Sequence, residues 1–137
     1  MKRTAVIILG GLTLAILGGA QVPAPAAAQL DNFKCYKAKD LKNPKFVATT
    51  RTLADQFGVN DGVFEAKKPF LFCTPVDVNG GGINNDDDDL TCYKVKGPKL
   101  LPANRPQVEV GNQLGTTQLE AKKAFLLCVP STSTVLP

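Results

Sequence analysis

Phe33-Lys34-Cys35-Tyr36-Lys37-Ala38-Lys39, closing at Glu65-Ala66-Lys67-Lys68-Pro69-Phe70-Leu71-Phe72-Cys73-Thr74-Pro75, is a unit that the chain uses twice. It returns as Leu90-Thr91-Cys92-Tyr93-Lys94-Val95-Lys96 and closes at Glu120-Ala121-Lys122-Lys123-Ala124-Phe125-Leu126-Leu127-Cys128-Val129-Pro130. The register is well kept. Cys35 to Cys92 is a shift of 57, and Asp55-Gln56-Phe57-Gly58 reaches Asn112-Gln113-Leu114-Gly115 by the same 57. Glu65 to Glu120 is a shift of 55, so the second copy is two residues shorter across the stretch matching Val59 to Gly62. A glycine-flanked turn is where such a loss is tolerated. Internal duplication follows.

Within a unit the pattern reads as strands. Phe33, Cys35 and Lys37 alternate with Tyr36 and Ala38, and copy two repeats this with Leu90, Cys92 and Lys94 against Tyr93 and Val95. Phe46 to Leu53 is rich in β-formers and ends at Asp55-Gln56-Phe57-Gly58. Its partner, Gln107 to Val110, is preceded by Pro102 and Pro106, which points to an edge position. A third run, Gly62 to Ala66, matches Thr117 to Ala121. Lys67-Lys68-Pro69 is expected to break the first copy before Phe70, whereas Ala124 stands where copy one has Pro69. No segment reads as an amphipathic helix; Thr52 to Phe57 and Leu119 to Phe125 suit single turns at most. The expectation is an all-β molecule, two repeated antiparallel units forming a disulfide-stapled sandwich or barrel with pseudo-two-fold symmetry. Residues 29–76 and 90–130 are the repeats, 77–89 a flexible acidic linker rich in Gly, Asn and Asp, and 131–137 a disordered tail.

Cys35, Cys73, Cys92 and Cys128 read as a disulfide framework in a small domain. One bridge per repeat, Cys35–Cys73 and Cys92–Cys128, suits a unit that had to be viable before it was doubled. Each would close a loop worth roughly 3–4 kcal/mol in the chain-entropy model. The swapped pairing, Cys35–Cys128 with Cys73–Cys92, would instead staple the halves together. A zinc site is disfavoured, because the chain has no histidine and no C-x-x-C pair.

The first residues of the 137 resemble an export signal: Lys2 and Arg3, an apolar run from Ala5 to Leu17, then small-residue cleavage sites ending at Ala20 or Ala28. The run is shorter than the ~20 residues of a membrane span, so cleavage would leave no span behind. Taking residues 1–28 as the signal leaves 109, in which 14 basic residues exceed 12 acidic ones by two. Such a balance argues against a dedicated nucleic-acid binder. The implied location is secreted, periplasmic or cell-surface.

The inventory narrows the chemistry. With no histidine, and with Ser131 and Ser133 the only serines, neither a Ser–His–Asp nor a Cys–His centre can be assembled. No phosphate loop or dinucleotide-binding turn occurs. Glu65 and Glu120 are the duplicated acids and define the remaining enzymatic alternative, a small two-carboxylate glycoside hydrolase. The other alternative is a calcium-stabilised adhesion-type module. Asp77, Asn79, Asp86 and Asp88 supply oxygen donors on a glycine-bearing stretch, although Gly81 falls where an EF-hand loop requires a ligand. Calcium is the only cofactor that any pattern here suggests.

The lysines admit two readings. Lys67-Lys68 and Lys122-Lys123, with Lys37, Lys39, Lys94 and Lys96, would suit an anionic polymer such as an acidic glycan. They would equally block edge-to-edge strand pairing, which is the commoner role. Tyr36 and Tyr93 are repeat-equivalent and are expected in the core, beside the bridge cysteines.

The Cys-Tyr-Lys opening, the Asp-Gln-Phe-Gly middle and the Leu/Phe-Cys-x-Pro close, with Val76-Asp77-x-Asn79-Gly80 after the first copy, resemble a tandem cysteine-containing repeat domain of unknown function. That domain occurs in exported bacterial proteins. The likeness spans roughly residues 31–131 and departs at Asn112 and Leu114, where Asp and Phe are usual. It implies export and tandem repetition and assigns no active residues. The sequence thus predicts a non-catalytic envelope or extracellular β module that binds or assembles with a surface protein or polysaccharide.

Overall fold

The computed structural model describes residues 18–19 and 30–137, so all of the signal segment but Gly18 and Gly19, with Ala20 and Ala28 themselves, lies outside the described residues. Seven strands form: β1 (Asn32–Lys37), β2 (Thr49–Leu53), β3 (Gly62–Val76), β4 (Asp89–Lys96), β5 (Gln107–Asn112), β6 (Gly115–Glu120) and β7 (Leu126–Ser131). Every pairing is antiparallel, and the only helical element among the described residues is a 3-10 turn at Pro102–Asn104. A five-stranded sheet runs β1-β3-β4-β7, with β2 also paired to β3, and β5 and β6 make a separate two-stranded sheet. No barrel closes; two open sheets of this kind fit a sandwich.

Repeat-equivalent strands are β1 with β4, β2 with β5, the two ends of β3 with β6 and β7. The sheet order therefore sets the second clasped pair beside the first by a step across the strands. A two-fold relation would have placed β3 against β7, or β1 against β4, so the duplication takes the form of a side-by-side array in this sheet. The repeats also differ in the place of their break. The first copy runs unbroken through Lys67-Lys68-Pro69 as the 15-residue β3, absorbing it in two register shifts, between Ala66 and Pro69 and between Pro69 and Leu71. Proline cannot donate to the ladder, and bulges are where a sheet accommodates it. It is the second copy, with Ala124, that leaves the sheet between β6 and β7. β3 has a partner along nearly its whole length, β2 at its start, β4 through its middle and β1 at its end, whereas β6 pairs only with β5, so nothing carries the second copy straight on.

The conserved spacing of the Asp/Asn-Gln-Phe/Leu-Gly motif between the copies has a local cause. Asp55 Oδ1 accepts from the N–H groups of Phe57 (2.9 Å) and Gly58 (3.3 Å), and Asn112 Oδ1 accepts from Leu114 N–H (2.8 Å). Gly58 and Gly115 sit at φ 64° and 123°, where a side chain is disfavoured. Both are side-chain-closed turns. The second joins β5 to β6 with Asn112 opposite Gly115.

The bridges are Cys35–Cys73 and Cys92–Cys128, each joining residues directly opposite one another on neighbouring strands. Cys73 faces Leu90 and Leu71 faces Cys92, so the bridges are diagonal neighbours on one face of the sheet. The buried core is small: Phe64, Ala66 and Val95, with Leu53, Tyr93 and Leu127 packed on it. Gly97 follows β4 against the Phe64 ring, and a Cβ there would run into that ring. Phe46 lies outside β2 because its ring packs on Tyr93, centroids 5.0 Å apart, while its N–H is held by Asp40 at 3.0 Å. A core this limited leaves much of the stability to the covalent clasps.

The acidic stretch is folded rather than free. Asn79 and Gly80 take positive φ in a turn closed by Gly81 N–H to Val78 C=O at 3.1 Å. The Asp31 carboxylate accepts from the N–H groups of Asn84 (2.6 Å) and Asn85 (2.9 Å), pinning the stretch to the start of β1. The expected disorder from residue 131 is likewise corrected at its start. Ser131 ends β7, and Ser133 Oγ donates to Asp89, a buried carboxylate that needs a donor.

Candidate functional site

The two copies of Glu-Ala-Lys-Lys-x-Phe converge. Phe70 and Phe125, equivalent residues of the repeat, stand edge to face with ring centroids 6.3 Å apart and planes at 68°. Lys67 from the first copy and Lys122 and Lys123 from the second line the same cleft, of about 760 Å³. What brings them together is the difference between the copies. In β3 the motif stays in the sheet beside β4. In the second copy the segment from Ala121 to Phe125 is pinned at both ends. Ala121 N–H donates to Pro106 C=O at 2.8 Å, and Val95 N–H donates to Phe125 C=O at 3.1 Å. The second motif is thereby laid across the end of β4, next to the first.

β4 and its continuation provide the floor: Lys94, Val95 and Lys96, then Gly97 to Leu100. Arg105 completes the rim. Seven basic side chains therefore surround the cleft, namely Lys67, Lys94, Lys96, Lys99, Lys122, Lys123 and Arg105, and no acidic residue lines it. A concave surface of one charge sign concentrates its field and recruits ions of the other sign. Within it, Lys94 Nζ lies 4.5 Å from the Phe70 centroid, over the ring. The ring quadrupole holds that ammonium in place. Arg105 Nη1 is 4.0 Å from Glu120, a long ion pair. The Arg105 Nε is buried and has no hydrogen-bond partner. None of the cleft lysines makes an ion pair among the described residues.

Of the eight lysines with sequence reason to form a basic surface, Lys67, Lys94, Lys96, Lys122 and Lys123 reach the cleft. Lys37, Lys39 and Lys68 do not line it. Lys99 and Arg105 belong to it without having been singled out, since neither has a counterpart in the repeat motif and only the loop after β4 brings them in. Tyr36 and Tyr93 part company. Tyr93 packs on the core, but Tyr36 on edge strand β1 is half exposed, with Lys34 Nζ 5.1 Å from its ring centroid. An edge strand has no neighbour to cover it.

The carboxylates of the hydrolase alternative do not face each other. Glu65 on β3 stands opposite Lys96, and Glu120 on β6 in the other sheet meets Arg105. Asp77, Asn79, Asp86 and Asp88 are all exposed, and no group of three or more Asp, Glu, His or Cys side chains gathers around a metal-sized site among the described residues. Among these residues, too, no helix is long and apolar enough to cross a membrane. No protein-family profile, curated protein or solved structure matches the chain.

Proposed function

We propose that the chain is a non-catalytic exported module of the envelope or extracellular space that binds an anionic surface component in the basic cleft. One observation carries this reading: both copies of Glu-Ala-Lys-Lys-x-Phe, far apart in sequence, supply the walls of one concavity. Lysines that served only to guard strand edges would have no reason to share one concavity. Here cations from both copies line the same cleft, which concentrates a positive field and suits an anionic ligand. Two disulfides support an oxidising compartment. Among the described residues the groups that gather in the cleft are cations and aromatic rings, whose chemistry is binding.

The test is co-sedimentation of the purified, disulfide-bonded protein with isolated envelope material of the producing cell. Retention is expected, and charge reversal in the cleft (Lys96→Glu with Lys122→Glu) should release the protein. The same reversal outside it (Lys34→Glu with Lys37→Glu) should not. Equal release by both pairs would sink the cleft as the binding site.

A further inference from the structure

The cleft carries more than a charge sign. Its basic groups are of two kinds, and its two rings are differently available. The lysine ammonium groups are point charges that accept an anion from many directions. Arg105 is the one planar fork, and its buried Nε is still without an acceptor while Nη1 leans weakly toward Glu120. The Nη groups, on a side chain that is 28% exposed, can still offer a carboxylate two N–H donors at once, whereas the buried Nε lies out of a ligand's reach. Phe70 has one face covered by the Lys94 ammonium and meets Phe125 edge to face, whereas Phe125 itself is half exposed. One open ring, flanked by cations, remains.

We propose that the ligand is a linear acidic polysaccharide of the uronate type. One carboxylate is taken by Arg105, its neighbours along the chain by Lys122, Lys123 and Lys96, and the apolar C–H face of one sugar lies on Phe125. The proposal rests on the anion-binding reading of the cleft and specifies its ligand. A sugar needs only one ring to lie on, through summed dispersion contacts, with anions beside it. A single-stranded nucleic acid draws its affinity from successive bases stacked on successive aromatic faces, and this cleft offers one. The paired disulfides also suit a compartment outside the reducing cytosol, where acidic glycans are found.

The experiment is affinity electrophoresis and calorimetric titration of the full disulfide-bonded chain against polygalacturonate. The comparison polymers are methyl-esterified polygalacturonate, polyphosphate and oligo(dT). Polygalacturonate should bind. Methyl esterification, or Lys122→Ala with Lys123→Ala, should weaken binding by about tenfold or more, the scale of a lost charge-assisted hydrogen bond. Arg105→Lys keeps the charge and loses the fork, and should weaken binding to polygalacturonate. Lys34→Ala with Lys37→Ala should change nothing. If Arg105→Lys fails to fold, the exposed Lys122/Lys123 pair still decides. Undiminished binding of the methyl ester overturns the carboxylate assignment. Polyphosphate or oligo(dT) binding as tightly through the same lysines overturns the glycan but leaves an anion site. Absence of lysine-dependent binding to every polyanion overturns both.

Discussion

Asp31 and Asp40 each hold a loop by its backbone. Asp31 accepts from Asn84 and Asn85, and Asp40 from Phe46 (3.0 Å) and Lys42 (2.8 Å), the first of which keeps the Phe46 ring on Tyr93. The N–H donors favour the ionised form and hold both carboxyls below the ordinary aspartate value of 3.8; for Asp31 the Asn84 N–H contributes most, for Asp40 the Phe46 N–H. A depressed folded value gives stability that is fully present above 3.8 and is lost as pH falls through the lowered values. Thermal midpoints measured from neutral pH downward should therefore drop below about pH 4, and Asp31→Asn with Asp40→Asn should flatten that drop. A slope unchanged in the double variant would show that these two carboxylates do not anchor the loops. Little of this was readable from the sequence, where both residues are unremarkable acids outside the recurring motifs. The same holds for burial. Cys73 and Cys92 are almost wholly buried while their counterparts Cys128 and Cys35 are exposed, and Phe64 is core while Leu119 is half exposed. Equivalent residues in near-identical motifs differ because one copy lies on a central strand and the other at an edge or in the small hairpin. The local pattern names strands; it does not rank them by position in the sheet.

At the scale of elements, the bridges act where few other contacts do. β1 is joined to β3 alone and β7 to β4 alone, so each edge strand depends on one ladder and one bridge. Each bridge closes a long loop, with sequence separations of 38 and 36. In the chain-entropy model, removing either as a pair, Cys35→Ala with Cys73→Ala or Cys92→Ala with Cys128→Ala, should cost roughly 3–4 kcal/mol. Urea unfolding of each variant checks this, and a loss well under 1 kcal/mol for either would show that the ladder alone holds that edge. The all-β class and the turn at each Asp/Asn-Gln-Phe/Leu-Gly were legible because period-two alternation and turn chemistry are local. The continuity of β3 was not. Pro69 marks a break on local grounds, yet pairing with β4 carries β3 past it through two register shifts, while the second copy, with the more permissive Ala124, bends away for want of partners.

Over the whole molecule, a nearly balanced charge conceals a strongly polar arrangement. The strand register puts Asp31, Asp77 and Asp86 to Asp89 at the end of the sheet where β1 begins and β3 finishes. The cleft and its lysines lie toward the opposite end, where β4 finishes beside Glu65. Lys67 and Val76 are roughly 30 Å apart along β3 at about 3.3 Å per strand residue. That is several Debye lengths, since the screening length is about 8 Å at physiological ionic strength. The acidic end is therefore electrostatically remote from the cleft, and what an anion meets is the local cluster rather than the sum over the chain. A near-neutral total is therefore compatible with a locally basic site for an acidic glycan. Two results should follow for polygalacturonate. Raising salt from about 0.05 M to 0.15 M should weaken binding by about an order of magnitude, because each counterion released from the polymer gains less entropy in a more concentrated bulk. Replacing Asp86, Asp87 and Asp88 by Asn should change the affinity at about 0.15 M salt by less than about twofold, because screening isolates the two ends. A large gain from that triple substitution would mean that the acidic stretch reaches the cleft and competes for it, and the two ends would then have to be treated as one site.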